Sequence, residues 1–281
     1  MPLSEHLECL FKGLFMKRYS RSPLPFLGQK RNWLRDIEGI DFSGFTVIDL
    51  FGGSGLVSHS IKAKRADTRV VWNDYDNFKG RLEMIAETEE LRANLLNVGL
   101  EKAKRVNDEG RTQIQEIIDK HIEKFGRVDW ITVSSWLLFA GNYAHDYEDL
   151  MGRTWYYQVV KTPLNADGYL EGVERRSCDF RELISEFEND PKVIFVADPP
   201  YIMTNQSGYV AKTGKFFRLK DGVELIKNLH DKRALLFSSP KSETDSLLEV
   251  FPPEKLERKD FSTSIGTNRI YEHLYLINMR E

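Results

Sequence analysis

Phe45-Thr46-Val47-Ile48-Asp49-Leu50-Phe51-Gly52-Gly53-Ser54-Gly55 is the stretch that decides the fold. Residues 45–50 are a short apolar run, entered from Ser43-Gly44 and stopped by paired glycines, which predicts a buried strand. Leu56 to Ala63 has helical character. Arg69 to Trp72 (RVVW) predicts a second strand, ending in the polar run Asn73-Asp74-Tyr75-Asp76. Strand, glycine-rich turn, helix, strand is a βαβ unit of a doubly wound α/β protein. Asp49, an acid at a strand end, can bind an ammonium or a hydroxyl. Gly52 and Gly53 let backbone approach a ligand closely. GGSG is not the GxGxxG of dinucleotide sites, which argues against a nicotinamide oxidoreductase, and it lacks the Lys-Ser/Thr of a P-loop. Asp74 ends the next strand, where doubly wound folds place an acid that accepts hydrogen bonds from ribose hydroxyls.

The rhythm then breaks. Ile114, Ile117, Ile118, Ile122 and Phe125 repeat at helical spacing. With breaks at Asn97–Gly99 and Asn107–Gly110, two or three helices are expected over residues 81–126. Residues 128–170 hold three of the five tryptophans, Trp130, Trp136 and Trp155, with several tyrosines. Most of these rings are expected to fill a small core of their own. The rhythm returns with Lys192 to Ala197 (KVIFVA), a buried strand, a helix over Val223–Leu229, and strands at Arg233–Phe237 and His273–Ile277. The expected organisation is a catalytic domain of residues 1–80 and 171–281, split by an inserted region at 81–170.

The 281 residues carry 41% hydrophobic and 30% charged side chains, enough for a core and against disorder. Cys9 and Cys178 are the two cysteines, which excludes a disulfide framework and a cysteine zinc site; no metal is expected. No apolar run is long enough for a membrane span. Met1 to Leu10 lacks the pattern of a signal peptide, so a cytoplasmic setting is expected. The net charge of −3 is not that of a bulk nucleic-acid binder. Two local runs are basic without an acid: Lys12, Lys17, Arg18, Arg21, Lys30, Arg31 and Arg35, then Lys212, Lys215, Arg218 and Lys220. Both flank motifs, which favours phosphate or cofactor contact over a solvated face. Lone histidines such as His59 are expected to pack rather than react.

Asp198-Pro199-Pro200-Tyr201 directly follows the KVIFVA strand, where an open α/β sheet places its ligand. The prolines fix a carboxylate, a carbonyl and an aromatic ring in a rigid arc. The two acceptors can take both hydrogens of an exocyclic amine, and the ring can stack on its base.

These motifs together resemble the Dam-like (D12 class) DNA adenine-N6 methyltransferases. DLFGGSG is similar to the family's cofactor loop and DPPY to its catalytic motif. Pro25-Phe26-Leu27-Gly28-Gln29-Lys30 resembles its PF-x-GGK element, with Gln29 in place of the second glycine. Asn73-Asp74-Tyr75-Asp76 resembles NDIN, Cys178-Asp179-Phe180 the segment that contacts the cofactor's adenine, and Asn268-Arg269 through Asn278 the closing R-x-x-E-x-L-x-x-N, with Glu272 available. The resemblance spans Pro25 to Asn278 and is poor across the insertion, where the family places target recognition.

The resemblance implies a Rossmann-like S-adenosylmethionine methyltransferase fold: a mixed, mostly parallel seven-stranded sheet with an antiparallel last hairpin and an inserted helical target-recognition region. It implies S-adenosylmethionine as cofactor and double-stranded DNA as partner, in a monomer of a bacterial or phage-infected cell. Catalysis would fall to Asp198, Pro199, Pro200 and Tyr201. Cofactor binding would fall to Phe26, Lys30, Asp49, Phe51, Gly52, Gly53, Asp74, Asp179 and Phe180, with Lys30 at its carboxylate. Arg153, Lys161, Arg175 and Arg176 are candidates for phosphate or guanine contact. RNA adenine-N6 methylation, DNA cytosine-N4 methylation and a non-catalytic nucleic-acid-binding role stay open beside this reading.

Overall fold

The computed structural model describes residues 16–139, 142–202, 206, 216–240, 242–265 and 268–279, and only the backbone for 263–265 and 268–270. Cys9, Lys12, Lys212 and Lys215 lie outside the described residues, as do the side chains of Asn268 and Arg269. The described chain forms two compact units. The first comprises residues up to 21, Gln29–Asn77 and Gly168–Glu281; the second comprises Ser22–Gly28 and Phe78–Asp167.

The first unit is built on one seven-stranded sheet. Its strands are β1 (Thr46–Asp49), β2 (Arg69–Asn73), β3 (Glu174–Arg176), β4 (Val193–Ala197), β5 (Arg233–Ser238), β6 (Leu256–Ile265) and β7 (Asn268–Ile277). Their spatial order is β3-β2-β1-β4-β5-β7-β6. The first five run parallel; β7 is antiparallel to β5 and to β6. This is the mixed sheet of the Rossmann-like methyltransferase fold. Side chains alternate across it with the period of two that a strand imposes. Ile48, Val71, Phe195 and Leu236 face one buried core with Leu183, Leu225 and Leu229. Val47, Val70, Ile194, Leu235 and Phe237 face another with Trp33, Ile37 and Ile61. A strand covered on both faces must be apolar throughout, which is why KVIFVA reads as a continuous run.

Two strands had no counterpart in the sequence reading. β3 is three residues long, Glu-Arg-Arg, and sits at the sheet edge, where polar side chains reach water. β6 reads LERKDFSTSI and is the other edge; its apolar content is too low to announce a strand, and pairing with β7 along its full length supplies the order.

The second unit holds the helices Phe78–Glu83, Ile85–Leu96, Asp108–Phe125, Trp130–Leu137 and Tyr147–Met151. Asn107 was expected to break the chain together with Gly110. Asn107 caps the helix Asp108–Phe125 through its side chain, whereas Gly110 lies buried within the first turn. The insertion has its own core, in which Leu91, Ile114, Ile118, Trp136, Trp155 and Tyr157 are buried together. Burial of two indoles fits the reading of these rings as core. Tyr169 belongs to the first unit, where it packs 4.7 Å from the His59 ring and donates to the Ser54 carbonyl at 2.9 Å. His59 is fully buried. It accepts from the Leu170 N–H at Nδ1 (3.1 Å) and faces the Lys17 carbonyl at Nε2 (2.8 Å), the pattern of a neutral imidazole.

Candidate active site

In a doubly wound sheet, ligands bind beyond the carboxyl ends of the strands, where the strand order reverses. Here the chain moves outward from β1 to β2 and β3, then returns to β4 on the other side of β1. Asp49 is level with Trp72 of β2 and Val196 of β4. Asp74 and Asp198 therefore each lie two residues beyond that level, on strands flanking β1. The topology brings the three predicted acids to the same end of the sheet.

Asn73 helps hold that end together. Its buried amide donates to the carbonyls of Leu50 (2.9 Å) and Cys178 (3.0 Å) and accepts from the Cys178 N–H (3.1 Å). One side chain thus joins the chain leaving β1, β2 and β3. Asn73 lies inside the motif recognised by sequence, but only its neighbour Asp74 was singled out.

The glycine turn is shaped by packing. A Cβ at Gly52 would come 2.1 Å from Cδ1 of Trp72, so no side chain fits there. Gly53 and Gly55 have φ of 47° and 75°. A Cβ at Gly55 would also meet the Leu170 side chain at 2.7 Å. The glycines were read as clearance for a ligand; at Gly52 and Gly55 the clearance is needed by Trp72 and Leu170.

Asp49 is buried at the base of this turn and accepts a 2.6 Å bond from Ser58 Oγ, on the following helix Leu56–Lys64. Burial pushes its carboxyl up to about 7. The Asp198 charge adds to the rise, while the Ser58 hydroxyl and the Phe51 N–H oppose it. No cation pairs with Asp49 among the described residues. Ser58 was missed because a serine inside a helix carries no distinctive signal.

Asp198 follows β4 and is a quarter exposed, with the Lys30 ammonium 2.5 Å from its Oδ2. Lys30 was expected at a ligand's carboxylate; it holds the protein's own. Burial raises the Asp198 carboxyl and Lys30 opposes that rise. The Tyr201 hydroxyl lies 3.5 Å from Asp198 Oδ1. Burial and the carboxylates of Asp198, Glu272 and Glu243 hold its phenol well above the ordinary range. The Asp198 and Tyr201 side chains are thereby brought together.

Phe51 packs on Phe180 with ring centroids 5.2 Å apart, and Phe217 closes the cluster 5.8 Å from Phe51. Gln206, absent from the sequence reading, fixes Phe217 by bonding both its N–H (2.8 Å) and its carbonyl (3.0 Å). Asp179 caps the helix Phe180–Phe187 and pairs with Arg181 at 3.1 Å. Asp74 is fully buried and pairs with Arg175 at 2.8 Å. Arg175 and Arg176, candidates for nucleic-acid contact, are thus engaged internally, Arg176 by Glu174 and Glu186. Arg153 likewise pairs with Asp149. Phe26 belongs to the second unit, edge-to-face with Phe78 at 5.8 Å. Among the described residues no His, Cys, Asp or Glu cluster suits a metal, and no helix is long and apolar enough to cross a membrane.

A Haemophilus influenzae protein named "Putative methyltransferase" is 36% identical over 271 residues, covering 91% of this chain and 90% of its own. A solved structure, the delta-N METTL16 MTase domain, covers 90% of this chain and 84% of its own at a TM-score of 0.37 and 10% identity, too slight a likeness to carry an argument. No family model matches this chain.

Proposed function

Because the chain belongs to the same methyltransferase family as its Haemophilus influenzae relative, we propose that it transfers a methyl group from S-adenosylmethionine to the exocyclic N6 of a flipped-out adenine in DNA. The observation that carries this reading is the Asp-Pro-Pro-Tyr arc after β4, whose carboxylate and phenol meet at the carboxyl end of the sheet, where the buried acid of β1 also lies.

The residues present fit the cofactor. Asp49 is a buried carboxylate stabilised by one hydroxyl and one backbone N–H, which leaves it in want of a cation such as an α-ammonium. Phe51, two residues on, packs on Phe180, and the pair offers apolar surface. S-adenosylmethionine, when bound, supplies a methyl group on a sulfonium, so the protein's part is alignment and electrostatics.

Adenine N6 is a weak nucleophile because its lone pair is delocalised into the ring. The Asp198 carboxylate and the Pro199 carbonyl accept its two N–H bonds. This favours a pyramidal nitrogen and stabilises the positive charge that develops on it. The proton leaves after attack, so no strong base is needed beforehand. N6 is inaccessible to an enzyme inside a duplex, so the base must leave the stack, and Tyr201 is the platform for it. The Lys30 ammonium occupies one Asp198 oxygen and must yield or share it when the amine arrives. The second unit would supply target recognition.

The test is to incubate the protein with methyl-labelled S-adenosylmethionine and, in parallel, unmethylated duplex DNA or RNA, then identify the labelled nucleoside. N6-methyldeoxyadenosine is expected. N4-methylcytosine would overturn the base assignment, label only in RNA the substrate, and no label in either the reaction. Asp198→Ala should abolish transfer while leaving cofactor affinity within a few-fold.

A further inference from the structure

Lys30 holds Asp198 from a short turn whose own anchoring runs through the last strands of the sheet. It precedes the short 3-10 turn Arg31–Trp33, and its carbonyl accepts the Trp33 N–H at 3.0 Å. The position of Lys30 is therefore tied to that of Trp33. The Trp33 ring is buried and wedged against Phe237 of β5 (6.2 Å) and Phe261 of β6 (5.9 Å). The Lys30 ammonium lies over the Phe237 ring, 5.5 Å from its centroid. The buried indole also makes a polar contact: Trp33 Nε1 donates to Glu272 Oε2 of β7 at 3.0 Å. Glu272 sits opposite Phe261 in the β6–β7 pairing, so the acceptor and one ring wall come from a single rung.

We infer that Glu272 and Trp33 are positioning residues that seat Lys30 against the Asp198 carboxylate, acting from the last strand of the fold on the catalytic arc after β4. The inference deepens the proposed reaction and rests on it only for its kinetic readout. Without its acceptor the buried indole N–H is left unsatisfied, and relieving it displaces Trp33 and the turn that begins at Lys30. The ammonium then leaves Asp198. Without its cation the part-buried carboxylate protonates more readily, and a protonated acid accepts the substrate amine poorly.

The sign of one titration separates this role from a direct electrostatic one. Among the described residues, the charged and titratable groups that act on Asp198 are Lys30, Tyr201 and Asp49; Tyr201 also feels Glu272 and Glu243. If Glu272 acted on Asp198 through space, removing its negative charge would lower the Asp198 midpoint. If it acts by seating Lys30, removing its acceptor raises that midpoint.

The experiment follows the carbon-13 carboxyl resonance of Asp198, assigned by its loss in Asp198→Asn, in the full-length protein across pH. Lys30→Met should raise the midpoint by about 1–3 pH units. Glu272→Leu and Trp33→Phe should move it in the same direction. Glu272→Gln, which loses the charge but keeps an oxygen for the indole, should leave it at or below the wild-type value. In the Lys30→Met background, Glu272→Leu should raise it no further. In turnover, Glu272→Leu should lower kcat about five-fold, the scale of one lost hydrogen bond. Glu272→Gln should restore most of that rate, and cofactor affinity should be unchanged in both. A midpoint that falls or stays put in Glu272→Leu, or one that rises equally with and without Lys30, overturns the inference. Because the titration needs no turnover, a wild-type protein that methylates nothing would sink the proposed reaction and still leave the positioning role decided.

Discussion

Asp49→Asn should make the ligand-free protein more stable at neutral and higher pH while weakening its hold on the cofactor. Burial pushes the carboxyl up to about 7 in the fold, and among the described residues no cation pairs with it. Its ordinary value is 3.8, so the folded state binds the proton more tightly than the unfolded state does. Stability from this group is complete below pH 3.8, declines as pH rises, and is lost above about 7. At about 1.4 kcal/mol per pH unit, the full loss is on the order of 4–5 kcal/mol. Asparagine keeps the shape, has no charge to desolvate, and is spared that loss. Binding runs the other way. If Asp49 meets an α-ammonium as a carboxylate, affinity should fall about ten-fold for each pH unit below 7. At pH 5.5 it should be roughly thirty-fold weaker than on the plateau. Below about pH 7 an α-amino group stays mostly protonated, so the slope from pH 5.5 to 7 belongs to Asp49. Calorimetry with S-adenosylhomocysteine would measure the affinity, and thermal unfolding of the free protein the stability, for wild type and variant across that window. Asp49→Asn should bind weakly and with no pH slope. A wild-type affinity flat from pH 5.5 to 7, or a stability difference from Asp49→Asn that does not grow with pH, would refute the reasoning.

Gly52→Ala should cost about 1–3 kcal/mol, seen as a lowered Tm, because its methyl group would sit 2.1 Å from Trp72 Cδ1. Trp72→Ala/Gly52→Ala should show less than the sum of the two losses. Arg31 and Arg35 are exposed and carry no ion pair among the described residues. Changing both to Gln should weaken binding to any duplex alike and reduce the salt slope of affinity by roughly two. Burial holds the His59 imidazole below its ordinary 6.5, so its contribution is present above that pH and lost as pH falls through the depressed value. His59→Gln should therefore flatten the acid side of the stability profile.

The strands of the central sheet were legible because burial on both faces leaves no alternative to an apolar run. Val47-Ile48, Val70-Val71 and Val193 to Ala197 could be read for that reason, and so could the turn that breaks the first of them. Asp49, Asp198 and Tyr201 were legible because their place after a strand is a local fact. β3 and β6 were not, since an edge strand is stabilised by a partner distant in sequence and needs little apolar character of its own.

Sequence alone thus determined the α/β class, the order of the motifs and the types of side chain offered at the sheet's carboxyl end. Partnership was decided only by the tertiary structure. The pairing of Lys30 with Asp198 spans residues 30 to 198, that of Asp74 with Arg175 spans 74 to 175, and that of Trp33 with Glu272 spans 33 to 272. A charged or polar side chain in a sequence declares what it can bond to, but which group it meets depends on strand order and register. Those are set by the packing of the whole sheet, which no local pattern contains.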